Sequence, residues 1–164
     1  MGEKIDPIRK TDADAIALAR SLIGTARFGA LGVIDPTTGH PHVTRIALAS
    51  TDNGIPLGLI SDLSHHTKAL RKNPHASLLI GEPERKGDPL TYPRQTLSCT
   101  AEFVARDSAD HKTLRDHYRA QNPKAKLYID FADFNLVLFH PTASDLNGGF
   151  GKAYKLTPED ILLG

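Results

Sequence analysis

The chain lacks several features that would each define a class of protein. It has one cysteine, Cys99, among 164 residues, so it cannot form an internal disulfide and suits a reducing cytoplasm. No apolar run approaches the roughly 20 residues that span a bilayer, and the first residues, MGEKIDPIRK, lack the apolar core of a signal peptide. The formal net charge is only +1, which gives no reason to expect nucleic-acid binding. We therefore predict one cytoplasmic domain over 1–164.

Familiar catalytic and metal-binding patterns are missing as well. No Ser-His-Asp order or catalytic carboxylate pair stands out. The neighbours His65 and His66 point in different directions on a helix, whereas zinc needs ligands at i and i+4 or convergent Cys and His residues. No metal site is predicted, and Cys99, in the strand-like TLSCTAEF, is expected to be a buried structural thiol. Any redox chemistry then has to come from a bound cofactor.

Short strands separated by turns dominate the rest of the chain. Strand-like runs are FGALGVID, HVTRIALAS, IPLGLIS, ASLLIGEP, RQTLSCTAEFVAR and NLVLFH. Turn residues such as Asn53-Gly54 separate them. Six strands with few helices favour a mainly β fold with flanking helices, built as a six-stranded antiparallel barrel, although the pattern alone also permits a sandwich.

Three helices are predicted between these strands. The first covers 11–23, with Thr11 as its cap and Gly24 as its end. The second covers about 65–72, follows Ser64 as N-cap and stops before Asn73-Pro74. The third covers 108–120, with Ser108 as its cap.

The start of the second helix carries the strongest functional signal. A helix N-terminus offers free N–H groups and a partial positive charge, which attract phosphate. Here Thr67 adds a hydroxyl and Lys68 a cation. These residues are either phosphate ligands or an ordinary solvated helix start. Arg45, in the middle of VTRIALAS, is likewise either a phosphate or carboxylate clamp, or an arginine that lies at a strand edge or in a salt bridge.

Two further positions allow a functional and a structural interpretation. Arg94 opens the fifth predicted strand, where an exposed arginine often only protects a strand end. The segment Asn147-Gly148-Gly149-Phe150-Gly151 lacks the spacing of a dinucleotide fingerprint or a P-loop. It is either a flexible connection with Phe150 as a small core anchor, or a loop that folds over a ligand with Phe150 as an apolar lid.

The order of these segments resembles a known family. They are GHPHVTRIALAS, LISDLSHHTKALRKNPHASLLI, DPLTYPRQTLSCTAEF, YIDFADFNLVLF and NGGFGKAY, which together span about 39–154. In this order they resemble the FMN-binding split barrels of the pyridoxamine 5'-phosphate oxidase-like group, and within it the haem-utilisation branch. The resemblance implies a split β-barrel that forms a homodimer with two FMN sites at the subunit interface.

The resemblance also implies which residues lie at the cofactor: Arg45, Ile46, Ser61, Asp62, His66, Thr67, Lys68, Arg94 and Gln95. Residues 45–46 would lie beside the flavin, 61–62 at the end of the strand that lines it, 66–68 at its phosphate, and 94–95 at its ring, often from the partner chain. The implied function is that of a flavin-dependent oxidoreductase. The alternatives are a haem-binding or haem-degrading protein and a non-catalytic flavin- or haem-storing module. The eight histidines keep the haem-binding alternative open, because each histidine that is exposed is a candidate axial ligand.

Overall fold

The computed structural model describes residues 6–164, which form eight strands, four α-helices and two short 3-10 helices. The strands are β1 (Ile8–Arg9), β2 (Phe28–Ile34), β3 (Pro41–Ser50), β4 (Pro56–Ser61), β5 (His75–Ile80), β6 (Arg94–Phe103), β7 (Phe134–Asn147) and β8 (Ala153–Leu156). The α-helices are α1 (Ala13–Thr25), α2 (His65–Lys72), α3 (His111–Gln121) and α4 (Pro158–Ile161), and the 3-10 helices are Pro89–Thr91 and Pro123–Leu127.

Six of the strands close into a barrel. Strands β7, β4, β3, β2, β5 and β6 follow one another through antiparallel pairing, and β6 pairs again with β7. The prediction of a mainly β fold with a six-stranded antiparallel barrel is therefore confirmed, and the sandwich is excluded. Strand β8 pairs with β7 and β1 pairs with β8, so the sheet extends beyond the barrel by two strands.

Strand β7 is longer than predicted. The sequence indicated a strand that ended at His140, but β7 continues to Asn147 and pairs with β4, β6 and β8. Pro141, which follows His140, normally argues against a central strand because a proline has no backbone N–H to donate to the strand ladder. Here Pro141 lies opposite Cys99, at the register shift between Ser98 and Cys99. The bulge accommodates the proline, and the strand continues.

Two of the three predicted helices have boundaries that differ from the prediction. Helix α1 is capped by Asp12, whose carboxylate accepts a hydrogen bond from the backbone N–H of Ala15 at 2.8 Å. Thr11 instead donates its hydroxyl proton to a carbonyl of β8, and the helix runs through Gly24 to its last residue, Thr25. Helix α3 begins three residues later than predicted, at His111. Helix α2 was predicted with its observed bounds.

Helices cover the barrel unevenly. Buried residues of α1 and α2, among them Ala19 and Leu70, join the core inside the barrel. Helix α3 and the 3-10 helix Pro123–Leu127 cover the outside of β4 and β7, where Tyr118 belongs to the same apolar cluster as Leu57 and Leu59. Across the described part of the chain, no helix combines the length and apolar character needed to span a membrane.

The outer surface of β2, β5, β6 and the first half of β3 carries exposed apolar side chains, and we call it the open face. These side chains are Phe28, Ile34, Val43 and Leu79. Val43 is 65% exposed. A contiguous apolar surface on a sheet marks a place where a ligand or a partner binds.

Candidate functional site

A cleft of about 280 Å³ lies on the open face and contains two of the predicted site residues. Arg45 and Arg94 line it, together with Phe28, Leu79, Glu82 and Leu90. Strand pairing explains why these side chains meet. Ala30 of β2 lies between Arg45 of β3 and Leu79 of β5 in the sheet register, and all three side chains point outward.

Arg45 is held only weakly by its neighbours. Its side chain is 75% exposed, and its Nη2 lies 3.8 Å from a carboxylate oxygen of Glu82. The guanidinium also lies 5.1 Å from the centroid of the Phe28 ring. An exposed ion pair of this length contributes little free energy, so the guanidinium is available to an incoming anion. The interpretation of Arg45 as an arginine in a salt bridge is confirmed, and its role as a phosphate or carboxylate clamp stays a prediction.

Arg94 stands at the rim of the cleft, at the first position of β6. Its Nη1 donates a hydrogen bond to the carbonyl of Leu90 at 3.0 Å. The chain closes tightly beside it, because a Cβ on Gly81 would lie 2.5 Å from the carbonyl oxygen of Pro93 and 2.9 Å from the Arg94 Cα. The glycine at 81, with φ of +96°, thus allows the β5–β6 connection to place Arg94 at the cleft.

The first turn of α2 forms a separate polar site. Ser64 makes no side-chain cap hydrogen bond, Thr67 is buried with no hydrogen-bond partner for its Oγ1, and Lys68 is exposed. None of residues 66–68 lines the cleft of Arg45 and Arg94. The structure therefore does not bring the predicted phosphate ligands and the two arginines into one cavity, and the assignment of 66–68 to a phosphate stays a prediction.

Three histidines, His42, His65 and His66, lie close together at this helix start. His65 Nε2 lies 2.7 Å from a carboxylate oxygen of Asp35, and the His65 ring packs edge-on against His42 with 4.7 Å between centroids. Hydrogen bonds from the backbone N–H groups of Thr38 and Thr37 are the main cause that lowers the pKa of Asp35 to about 2. Within residues 6–164, no group of three or more His, Cys, Asp or Glu side chains is arranged to hold a metal ion.

We expect acid to destabilise the fold through His66. Burial, followed by the nearby His42 and His65, lowers the pKa of His66. The unfolded chain then binds more protons than the folded chain near the ordinary histidine pKa, so the free energy of unfolding falls as the pH drops below about 6.5. Urea denaturation at a series of pH values should show that the free energy of unfolding falls less with acid in His66→Gln than in the native protein. The exposed-turn variant His40→Gln serves as control, and an equal fall in all three proteins contradicts the prediction.

Ser61 and Asp62 hold the corner between β4 and α2. The Ser61 hydroxyl donates to the Asp133 carboxylate at 2.6 Å, and Asp62 accepts hydrogen bonds from Arg71 at 2.8 Å and Asn135 at 3.0 Å. The hydrogen bond from Arg71 is the main cause that lowers the pKa of Asp62. Arg71, Asp133 and Asn135 were not predicted as site residues, because they share no local motif. Neither Ser61 nor Asp62 lines the cleft, and their role at a cofactor stays a prediction.

Ile46, Gln95 and Cys99 face the interior of the barrel. Ile46 is 6% exposed and belongs to the core, so only its backbone is accessible to a ligand. Gln95 is fully buried, and its Nε2 donates to the Ser144 hydroxyl at 2.7 Å, while its Oε1 has no partner. Cys99 is buried as predicted, and burial raises the pKa of its thiol to about 12, so little reactive thiolate forms at neutral pH.

Phe150 lies in the turn between β7 and β8 and is 94% exposed. The alternative in which Phe150 anchors the core is therefore wrong. A Cβ on Gly149 would lie 3.2 Å from the carbonyl oxygen of Thr91, in the 3-10 helix that carries Leu90 at the rim of the cleft. The backbone of the turn, one residue before Phe150, thus lies close to that rim. Among the other residues that line the cleft, Phe28, Leu79, Glu82 and Leu90 were not singled out from the sequence.

Together, the barrel and its arginine-lined cleft define a split-barrel protein with a surface suited to an anionic ligand. A sequence profile of the CREG β-barrel family matches residues 10–162. The chain belongs to this family, whose split barrel is the fold of the pyridoxamine 5'-phosphate oxidase-like proteins.

Several known proteins are similar to this chain. The chloroplastic haem oxygenase HOZ of Arabidopsis thaliana is 33% identical over 117 residues, which cover 71% of this chain and 34% of the relative. The chain thus spans about a third of the length of that curated relative. A haem-binding protein from Mycobacterium smegmatis has a TM-score of 0.81 and 27% identity, over 94% of this chain and 61% of the other. A FAD-binding protein from Mesorhizobium loti, with a TM-score of 0.63 and 16% identity over 83% of this chain and 94% of the other, shows the fold alone.

Proposed function

We propose that this chain binds haem in the cleft of Arg45 and Arg94 and acts in haem binding or degradation. The observation that carries the proposal is a pair of guanidinium groups beside the apolar side chains of Phe28, Leu79 and Leu90. Haem has the matching chemistry, with a flat apolar ring and two carboxylates, and arginine pairs with carboxylates through two parallel hydrogen bonds. The relatives from A. thaliana and M. smegmatis, which are named for haem, support the same ligand.

The roles of the residues follow from their positions. Arg45 and Arg94 bind the two carboxylates, and the apolar walls exclude water from one side of the ring. The described lining of the cleft contains no His, Cys, Met or Tyr, so a protein ligand to the iron has to come from outside it. When bound, haem supplies the redox and oxygen chemistry, for which the protein provides grip and orientation.

FMN is the second candidate, with the chain as a flavin-dependent oxidoreductase. The start of α2 favours it, because free N–H groups at a helix N-terminus and the exposed Lys68 suit a phosphate. On this alternative the phosphate binds at α2, and the ring lies on the open face near Arg45.

Titration of the purified protein with haemin and, separately, with FMN tests the choice. We expect haemin to saturate at one equivalent per chain with a Soret band, and FMN fluorescence to remain unquenched. Tight FMN binding without haem binding overturns the proposal and supports the second candidate. In that case Lys68→Ala should weaken FMN binding by about 10- to 100-fold, whereas Lys72→Ala, on the same helix, should leave it unchanged.

We also propose that a second copy of the chain covers the open face in a cytoplasmic homodimer. The exposed apolar side chains of Ile34, Val43 and Leu79 support this, since such a surface seldom faces water. A second copy would also supply the missing wall of the shallow cleft. Light scattering should give the mass of a dimer for the native protein and of a monomer for Val43→Asp. A native monomer that still binds ligand contradicts the homodimer.

Phe150→Ala is expected to weaken ligand binding but not the fold. The ring is almost fully exposed, so its removal leaves no core cavity, whereas a ring that closes over a ligand contributes about 1.5–3 kcal/mol. We expect haem affinity to fall by about tenfold or more, with the urea midpoint of the ligand-free protein unchanged. Leu127→Ala, on the covered side of the barrel, is the matched control. Unchanged affinity in Phe150→Ala rules out the lid.

A further inference from the structure

A second groove, of about 330 Å³, adjoins the cleft on the same sheet surface. Its lining includes Ile8, Arg94, Thr96, Asp145, Asn147 and Lys155. Nothing in the proposed haem or flavin sites uses the last three of these residues. The groove lies where β8 and β1 extend the sheet beyond the barrel, so its floor is formed by β6, β7 and β8.

Strand register makes the groove continuous with the cleft. Leu79 of the cleft pairs with Thr96, Thr96 pairs with Asp145, and Asp145 pairs with Lys155. These side chains therefore form one row across four strands, with the cleft at one end and the groove at the other. Arg94 lines both cavities and stands at their border.

The charges of the groove favour a small anion. Arg94 and Lys155 are cationic, and Asp145 is the single acidic residue among the lining residues that the structure describes, which together have a formal charge of +1. Lys155 Nζ lies 2.8 Å from the Asp145 carboxylate, but both side chains are largely exposed. Exposed pairs of this kind are held weakly, so a ligand anion can take the place of the Asp145 carboxylate.

Hydrogen-bonding and apolar groups complete the groove. Arg94 uses Nη1 for the Leu90 carbonyl, and a guanidinium has five N–H donors, so others remain for a ligand. Thr96 and Asn147 add polar groups to the floor, and Ile8 and Ala153 form an apolar edge. This combination suits a molecule with one anionic group and a small apolar body.

We propose that this groove is a second small-molecule subsite, which binds an anionic substrate or co-substrate through its carboxylate or phosphate at Arg94 and Lys155. Its ligand lies next to whatever occupies the cleft, since the two cavities share Arg94. The subsite does not depend on whether that occupant is haem or a flavin.

Nuclear magnetic resonance titration with phenyl phosphate, benzoate and phenol tests the subsite. We expect both anions to bind, the tighter one identifying the preferred anionic group, and phenol to bind far more weakly. Lys155→Gln should weaken anion binding by about fivefold, the range of an exposed charge pair. Asp145→Asn should tighten it, because it removes the competing carboxylate. Both changes are at exposed positions, so the variants are expected to fold.

One variant in the cleft and one in the subsite distinguish ligand binding at the two places. Arg45→Ala should weaken haem binding and leave phenyl phosphate binding unchanged, whereas Lys155→Gln should do the reverse. Loss of haem binding alone therefore counts against the cleft and not against the subsite. Equal binding of phenol and phenyl phosphate, or unchanged anion affinity in Lys155→Gln, overturns the subsite.

Discussion

Gly81→Ala is expected to lower the free energy of unfolding by about 3 kcal/mol or more. Gly81 has φ of +96°, a conformation that itself costs a residue with a Cβ about 1–2 kcal/mol. The new Cβ would also lie 2.5 Å from the Pro93 carbonyl oxygen and 2.9 Å from the Arg94 Cα. Both are backbone atoms, which cannot rotate away, so β5 and β6 have to separate at this point. Urea denaturation measures the loss.

Two other glycines distinguish the cost of the positive φ from the cost of the steric clash. Gly39 has φ of +74°, but a Cβ at this position would have no other atom within 4 Å, so Gly39→Ala should cost only the backbone strain. Gly24 lies in α1 with open space around it, and Gly24→Ala should stabilise the protein by about 0.5–1 kcal/mol. If Gly81→Ala costs no more than Gly39→Ala, the close approach of β5 and β6 does not matter for stability.

Local sequence predicted the barrel strands well because their signals are local. Alternating apolar residues and turn residues such as Asn53-Gly54 define each strand without knowledge of the rest of the chain. Strand β8 was missed because four residues are too short to show a pattern. The extension of β7 past Pro141 was missed for a different reason, since the bulge that accepts the proline depends on Cys99 in another strand.

Strand geometry also limits how the predicted site residues can act. Successive side chains of a strand point to opposite faces, so Arg45 and Ile46 cannot both present their side chains to one ligand. The same holds for Arg94 and Gln95. The structure places both arginines on the open face and the other two side chains in the interior. This division follows from the sequence once the strands are known.

The apolar walls of the cleft were beyond prediction from sequence. Phe28 and Leu79 resemble ordinary core residues within their strands, and their exposure depends on which outer surface the helices cover. Helix α3 packs over β4 and β7 and leaves the open face uncovered. No local signal in the strands of the open face specifies which surface α3 covers. The candidate site therefore depends on a long-range packing arrangement as much as on its two arginines.

Replacing Arg45 and Arg94 together with alanine is expected to weaken haem binding by about 100-fold. A hydrogen bond to a charged group contributes about 1.5–3 kcal/mol, and the exposure of Arg45 argues for the lower end, or about tenfold for each arginine. Glu82→Gln should act in the opposite direction, because it releases Arg45 from its ion pair at 3.8 Å. Soret titration of the three proteins measures these changes.

The control for each arginine is Arg119→Ala, which removes one positive charge from α3 on the covered side of the barrel. It should leave haem affinity unchanged, and so separate a local contact from a change in net charge. High salt should reduce the difference in haem affinity between the native and double-variant proteins, because it screens exposed charges. Equal affinities in the native and double-variant proteins would place the haem elsewhere. Reduced FMN binding with intact haem binding would instead assign the two arginines to the flavin, whose ring would then lie on the open face near Arg45 while its phosphate binds at α2.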